Sequence, residues 1–111
     1  MTPALTLSEL IAWNDETAQK WLEHLRANPA LLDAPSGIFG SKDVRGLLHH
    51  IFAVEYRYSE RLRGLAATAP EQLPGGTLDE LAGLHNEAIR HYRAALAMRT
   101  LTGMRLWNSR P

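Results

Sequence analysis

The sequence predicts an all-α fold, an up-and-down helical bundle, and three observations carry that prediction. Apolar residues recur every three or four positions in three separate segments, the spacing of one buried helical face. Clusters of proline and glycine interrupt the pattern between those segments. No stretch shows the strict alternation of a half-buried strand. The 111 residues suffice for one domain, 1–111, with a single modest core.

Helix one is expected over about 7–27. Thr6-Leu7-Ser8-Glu9 fits a capping box, in which the threonine oxygen accepts an early backbone N–H and Glu9 reaches back. Leu10, Trp13 or Asn14, Thr17, Trp21 and Leu25 form its expected inner face. Pro29 disfavours helical geometry at Asn28 and should end it. Residues 29–40, PALLDAPSGIFG, read as a loop with Leu31, Leu32, Ile38 and Phe39 tucked against the bundle.

Helix two is expected over about 42–63, with Ser41 as cap, Asp43 in the first turn and Gly64 as terminator. Its predicted core face is Val44, Leu48, Ile51, Glu55, Tyr58 and Leu62. Leu47, Phe52 and Val54 flank that stripe, and so broad an apolar arc asks for more than two neighbours. Pro70, Pro74 and Gly75-Gly76 mark a second loop. Thr77-Leu78-Asp79-Glu80 then opens helix three, expected over about 78–99, with Leu78, Leu81, His85, Ala88 or Ile89, Tyr92 and Leu96 facing inward. Residues 100–111 lack periodicity and read as a loosely docked tail with an exposed tryptophan.

Composition narrows the function classes. Lysine plus arginine equals aspartate plus glutamate, twelve each, which argues against a general electrostatic grip on nucleic acid. The same neutrality leaves little repulsion between copies and favours self-association. With no cysteine, disulfides, thiolate nucleophiles and cysteine-ligated zinc are excluded. No apolar run approaches the roughly 20 residues needed to span a bilayer, so the expectation is a soluble, cytoplasmic protein without a membrane partner.

Residues 47–64, LLHHIFAVEYRYSERLRG, resemble the second helix of the DinB/YfiT-like superfamily of bacterial bundles. The matching positions are His50-Ile51, Glu55, Tyr58 and Arg61, and WNDETAQKWLEHLRANPALLDAP resembles the first helix and loop of a subset of that group. The resemblance implies an up–down–down–up four-helix bundle, often dimeric, with a divalent metal, zinc or nickel, at one end. It also implies a histidine ligand from helix two, here His50, and a His-x-x-x-His pair on a fourth helix. This sequence contains no His-x-x-x-His. The expectation is therefore three helices of a DinB-like bundle, truncated before the histidine-bearing helix and completed by homodimerisation, without a complete metal site and non-catalytic. The alternative is a metal-dependent hydrolase or thiol transferase using His50.

The residues themselves weigh these readings. The five histidines are His24, His49, His50, His85 and His91, and no two share the three- or four-residue spacing of ligands on one helix face. Helices running antiparallel at about 1.5 Å per residue would bring His24, His50 and His91 into one layer as metal ligands; the competing reading is histidines at a bundle end. Glu55 stands on an inward stripe and needs a partner. The same counting places His85 within about a turn of it, so a structural Glu55–His85 pair is expected, with acid–base catalysis as the alternative. His50, Val54, Arg57 and Arg61 form a strip able to meet a carboxylate, or else to solvate the helix and pair with Glu60.

Overall fold

A computed structural model describes residues 6–109, and their side chains through residue 98. Three α-helices, α1 (Leu7–Ala27), α2 (Val44–Leu62) and α3 (Leu78–Ser109), are joined by loops that each contain a short 3-10 turn. Among the described residues there is no strand, and no helix is long and apolar enough to cross a membrane.

The helix boundaries follow the local chemistry. Thr6 Oγ1 accepts the Glu9 N–H at 3.1 Å while Glu9 Oε1 accepts the Thr6 N–H at 3.1 Å, the reciprocal capping box predicted for α1. Thr77 and Glu80 repeat that exchange at the start of α3, again at 3.1 Å in both directions. Asp43, rather than Ser41, caps α2, its Oδ1 accepting the Gly46 N–H at 2.8 Å. Ser41 is drawn into the preceding loop, where its carbonyl accepts the Ser36 hydroxyl. At the other end of α2, Leu65 N–H bonds the Glu60 carbonyl and Gly64 N–H bonds that of Arg61, at 2.9 and 3.0 Å. This is the Schellman arrangement, and it requires the positive φ of 75° that Gly64 supplies. The helix α3 does not stop near Arg99 but continues to Ser109, so most of the expected tail is helical. The expected exposure of Trp107, and the last two residues of that tail, lie outside what is described.

The helix directions depart from a simple up-and-down order. Arg26, late in α1, meets Asp79, early in α3, at 3.2 Å, and Asp15 reaches His85 at 3.0 Å, so α1 and α3 are antiparallel. By contrast Phe52 packs on His85 and Tyr56 on His91, with ring centroids 5.2 and 5.6 Å apart, so α2 and α3 run the same way. The connection over residues 63–77 must therefore return along α2, a rise of about 28 Å. It is fastened as it goes. Thr68 donates its N–H and hydroxyl to Glu60 at 2.8 and 2.7 Å, and further back the Leu73 carbonyl meets His49 Nε2 at 2.8 Å.

The core is one cluster, Leu22, Leu25, Leu32, Phe52, Ala53, Leu73, Leu81 and Leu84, with Ile11, Ala88 and Ile89 also buried. Each large apolar side chain so placed contributes about 1.5–3 kcal/mol relative to exposure. The face of α3 follows the predicted stripe, with Leu81, His85 and Ala88 fully enclosed. That of α1 keeps the expected Leu25 but is otherwise turned by one residue: Ile11, Asp15, Ala18 and Leu22 point inward, while Trp13 and Trp21 are 63% and 57% exposed. In α2, Val44 and Leu48 pack on the core as predicted, but Phe52, Ala53, Ser59 and Glu60 are the buried residues. Ile51, Tyr58 and Leu62 are about half exposed, and Ile38 and Phe39 stand out from their loop instead of tucking in. The helix that meets both others is α3, not α2; α1 and α2 make no close backbone approach.

Candidate functional site: a buried histidine between two carboxylates

Because α1 and α2 flank α3 without touching along their backbones, side chains from all three converge over the middle of α3. His85, with no solvent exposure, has Glu55 Oε1 at 2.6 Å from Nδ1 and Asp15 Oδ1 at 3.0 Å from Nε2. A carboxylate only accepts, so both ring nitrogens donate and the ring is an imidazolium. Burial by itself would lower the His85 pKa; the hydrogen bond and charge of Glu55, then those of Asp15, more than reverse this and raise it. Asp15 is held below its ordinary value: partial burial works against ionisation, but the Gln19 hydrogen bond, His85 and the Arg93 charge outweigh it.

The surrounding bonds fix the trio in place. Asn14 Nδ2 donates to Glu55 Oε2 at 2.8 Å, and Gln19 Nε2 donates to Asp15 Oδ1 at 3.1 Å. Arg93 approaches the other Asp15 oxygen at 3.5 Å. The Tyr92 hydroxyl donates to the Glu55 main-chain carbonyl at 3.0 Å, and burial, followed by the nearby charge of Glu55, pushes its pKa up to about 12. Both nitrogens of His85 and both oxygens of Glu55 are thus engaged within the fold. The arrangement clamps three helices together; it does not present a free base.

Above the trio lies an open cleft of about 700 Å³ between the N-terminal half of α1 and the C-terminal end of α2, floored by α3. Its walls include Leu7, Leu10, Trp13, Leu62, Ala95, Leu96 and Met98, and its polar lining is Asn14, Glu55, Arg63 and Tyr92. Arg63 Nη1 donates to Nδ1 of His91 at 2.8 Å, which fixes His91 as an acceptor at that nitrogen.

The predicted Glu55–His85 pair is therefore present. The predicted metal layer is not assembled. His50 is exposed on α2, and His24 is exposed on α1 with its ring edge-on to Trp21 at 6.5 Å. His91 is buried beside Tyr56 and Arg63, roughly 9 Å further along α2 than His50. The parallel run of α2 and α3 moves it out of the layer that antiparallel helices would have created. Among the described residues no group of three histidine, aspartate or glutamate side chains can hold a metal ion, and the donors present do not fit zinc or nickel. In the arginine strip, Arg61 is exposed, and Glu60 binds Thr68 rather than an arginine.

Asp15 and Arg63 were not singled out by sequence reasoning, and Asn14 was named only as the alternative to Trp13 on the inner face of helix one. Asp15 had a signal: it falls in register with Ile11, Ala18 and Leu22, a carboxylate inside an apolar stripe. Arg63 had none beyond its place at the end of α2. Comparison of the chain with family models, curated proteins and solved structures returned no match.

Proposed function

We propose that this chain is a DinB-like helical-bundle protein that acts without catalysis, as a homodimer. Its helix order supports the family reading: one helix antiparallel to two parallel ones, with a long return connection, is how an up–down–down–up bundle begins. The engaged state of His85 and Glu55 supports a structural rather than catalytic role for the most unusual residues in the chain.

The observation that carries the dimer is a stripe on the outer side of α2. Ile51, Val54, Tyr58 and Leu62 are 42–58% exposed and succeed one another at steps of three and four residues. Such a seam suits a second helix laid along it. A two-fold axis would place the same stripe of a second copy against it, and the zero net charge of the chain leaves little to oppose that approach. The second copy then takes the position of a fourth neighbour. Light scattering should give twice the chain mass at tens of micromolar, and Val54→Glu with Tyr58→Glu should halve it while the helical circular dichroism persists. A folded wild-type monomer at high concentration would overturn the reading.

A further inference from the structure

We infer that the cleft between α1 and α2 is a binding site for an amphipathic carboxylate, a molecule with an apolar body and a carboxylate head held by Arg63. The cleft volume of about 700 Å³ falls within the ~300–1,000 Å³ of small-molecule sites. Its walls are apolar on all three helices, with Leu10, Leu62 and Met98 about half exposed or more, so they offer contact surface to a ligand.

Among the described residues two charged side chains line the cleft, Glu55 and Arg63, and their states differ. Both oxygens of Glu55 already accept, from His85 and Asn14, and the His85 imidazolium balances its charge. Arg63 is the reverse. A guanidinium carries five N–H donors, and the one bond described for Arg63 goes to the neutral acceptor Nδ1 of His91. No carboxylate lies within ion-pair distance of Arg63 among the described residues. The residues whose side chains fall outside that set include no aspartate or glutamate. A cation is thus poised at an apolar cleft with donor capacity to spare, the fork geometry that binds a carboxylate by two parallel hydrogen bonds. A cationic ligand would meet Arg63 and find Glu55 already occupied. The site meets the outer stripe proposed for dimerisation only at Leu62: Ile51, Val54 and Tyr58 do not line the cleft.

Trp13 lines the cleft and reports on it. The full chain is titrated with decanoate, decyltrimethylammonium and acetate, followed by tryptophan fluorescence and calorimetry. Decanoate should saturate at one molecule per chain, at least about tenfold more tightly than decyltrimethylammonium, and acetate should not saturate over the same range. Losing a charged hydrogen bond corresponds to about a tenfold or greater weakening, so Arg63→Gln should bind decanoate at least that much less tightly. Leu10→Glu, at an exposed wall position, should abolish decanoate binding and serves in place of Arg63→Gln if that variant does not fold. Absence of saturable decanoate binding, equal binding of decyltrimethylammonium, or unchanged affinity in the folded variant would each overturn the inference. Light scattering on the same samples reports the dimer separately, so failure of one proposal is not read as failure of the other.

Discussion

Nδ1 of His85 lies 2.6 Å from Oε1 of Glu55, on the side of the ring opposite Asp15, so one imidazolium joins α1, α2 and α3. Removing it leaves two partly buried carboxylates facing a void. Deleting one member of such a network typically costs about 3–5 kcal/mol, whereas replacing the whole set by apolar groups can be neutral. His85→Ala should therefore lower the melting temperature by at least 6 °C or so, at roughly 2–8 °C per kcal/mol. The triple change Asp15→Leu, His85→Leu and Glu55→Leu should recover much of that loss. A His85→Ala protein that melts with the wild type would show that the clamp contributes nothing.

The same trio gives stability a pH dependence with a defined sign. His85 binds its proton more tightly when folded than when unfolded, so its contribution is complete below the ordinary imidazole value of 6.5 and is lost as pH rises through the raised folded value. Asp15 behaves oppositely: its contribution is present above 3.8 and is lost as pH falls through its lowered folded value. Thermal melts should therefore peak between those two pH values and decline on the alkaline side as His85 deprotonates. Glu55→Gln removes the partner that does most to hold that proton, so it should flatten the alkaline decline. A melting temperature that climbs steadily from pH 6 to pH 9 would contradict the assignment.

What the sequence makes legible depends on how many solutions each segment allows. In α3 a single stripe runs through Leu81, His85 and Ala88, and it is the buried one. The helix α1 offers two adjacent stripes, and the tryptophans lend the wrong one weight, while Asp15 disguises the right one as polar. The proximity of His85, with Gln19 and Arg93 beside it, makes Asp15 compatible with an inward position. The Glu55–His85 pair survives an incorrect helix direction because Glu55 lies near the middle of α2, where reversal changes its level little. His91, farther along α3, has no such protection, and the inferred histidine layer fails with the direction. Arg63 acquires its meaning only from the cleft, which no periodicity encodes.

The register of α1 is directly testable. Leu22 is 3% exposed within the core cluster, while its neighbour Trp21 is 57% exposed. Leu22→Ala should cost about 2–5 kcal/mol, and Trp21→Ala less than about 1 kcal/mol, because exposed substitutions rarely cost more. Urea melts of the two variants would separate the alternatives, and the reverse order would place the tryptophan stripe inside.

Metal dependence divides the binding and enzymatic readings. His50 is exposed, His24 packs edge-on to Trp21, and His91 is held by Arg63. Protein supplemented with zinc or nickel and then desalted should retain well under one equivalent by plasma emission spectrometry, and its melting temperature should match that of His50→Ala treated identically. Near-stoichiometric metal that disappears in His50→Ala would establish His50 as a ligand, with further donors from outside the described residues or from a second copy.

The return connection that sets α2 and α3 parallel is held at Gly75. A Cβ there would lie 2.8 Å from Cγ of His49, and closer still to its Cδ2, so the ring would have to move. That ring cannot move freely, because its Nε2 is bonded to the Leu73 carbonyl at 2.8 Å, beside a buried Leu73 side chain. Gly75→Ala should therefore cost about 1–3 kcal/mol, as overpacking does, and should hasten amide exchange around Leu73. Gly76 next to it is the control. A Cβ at that position meets Glu80 Oε1 at 3.5 Å, an ordinary contact, and the backbone there has no positive φ to relieve. Gly76→Ala should be neutral or stabilising by up to about 1 kcal/mol, through the lower entropy of the unfolded chain. Equal melting temperatures for the two variants would mean that the His49 anchor does not hold the connection, and that the burial of Leu73 alone keeps α2 and α3 in their parallel arrangement.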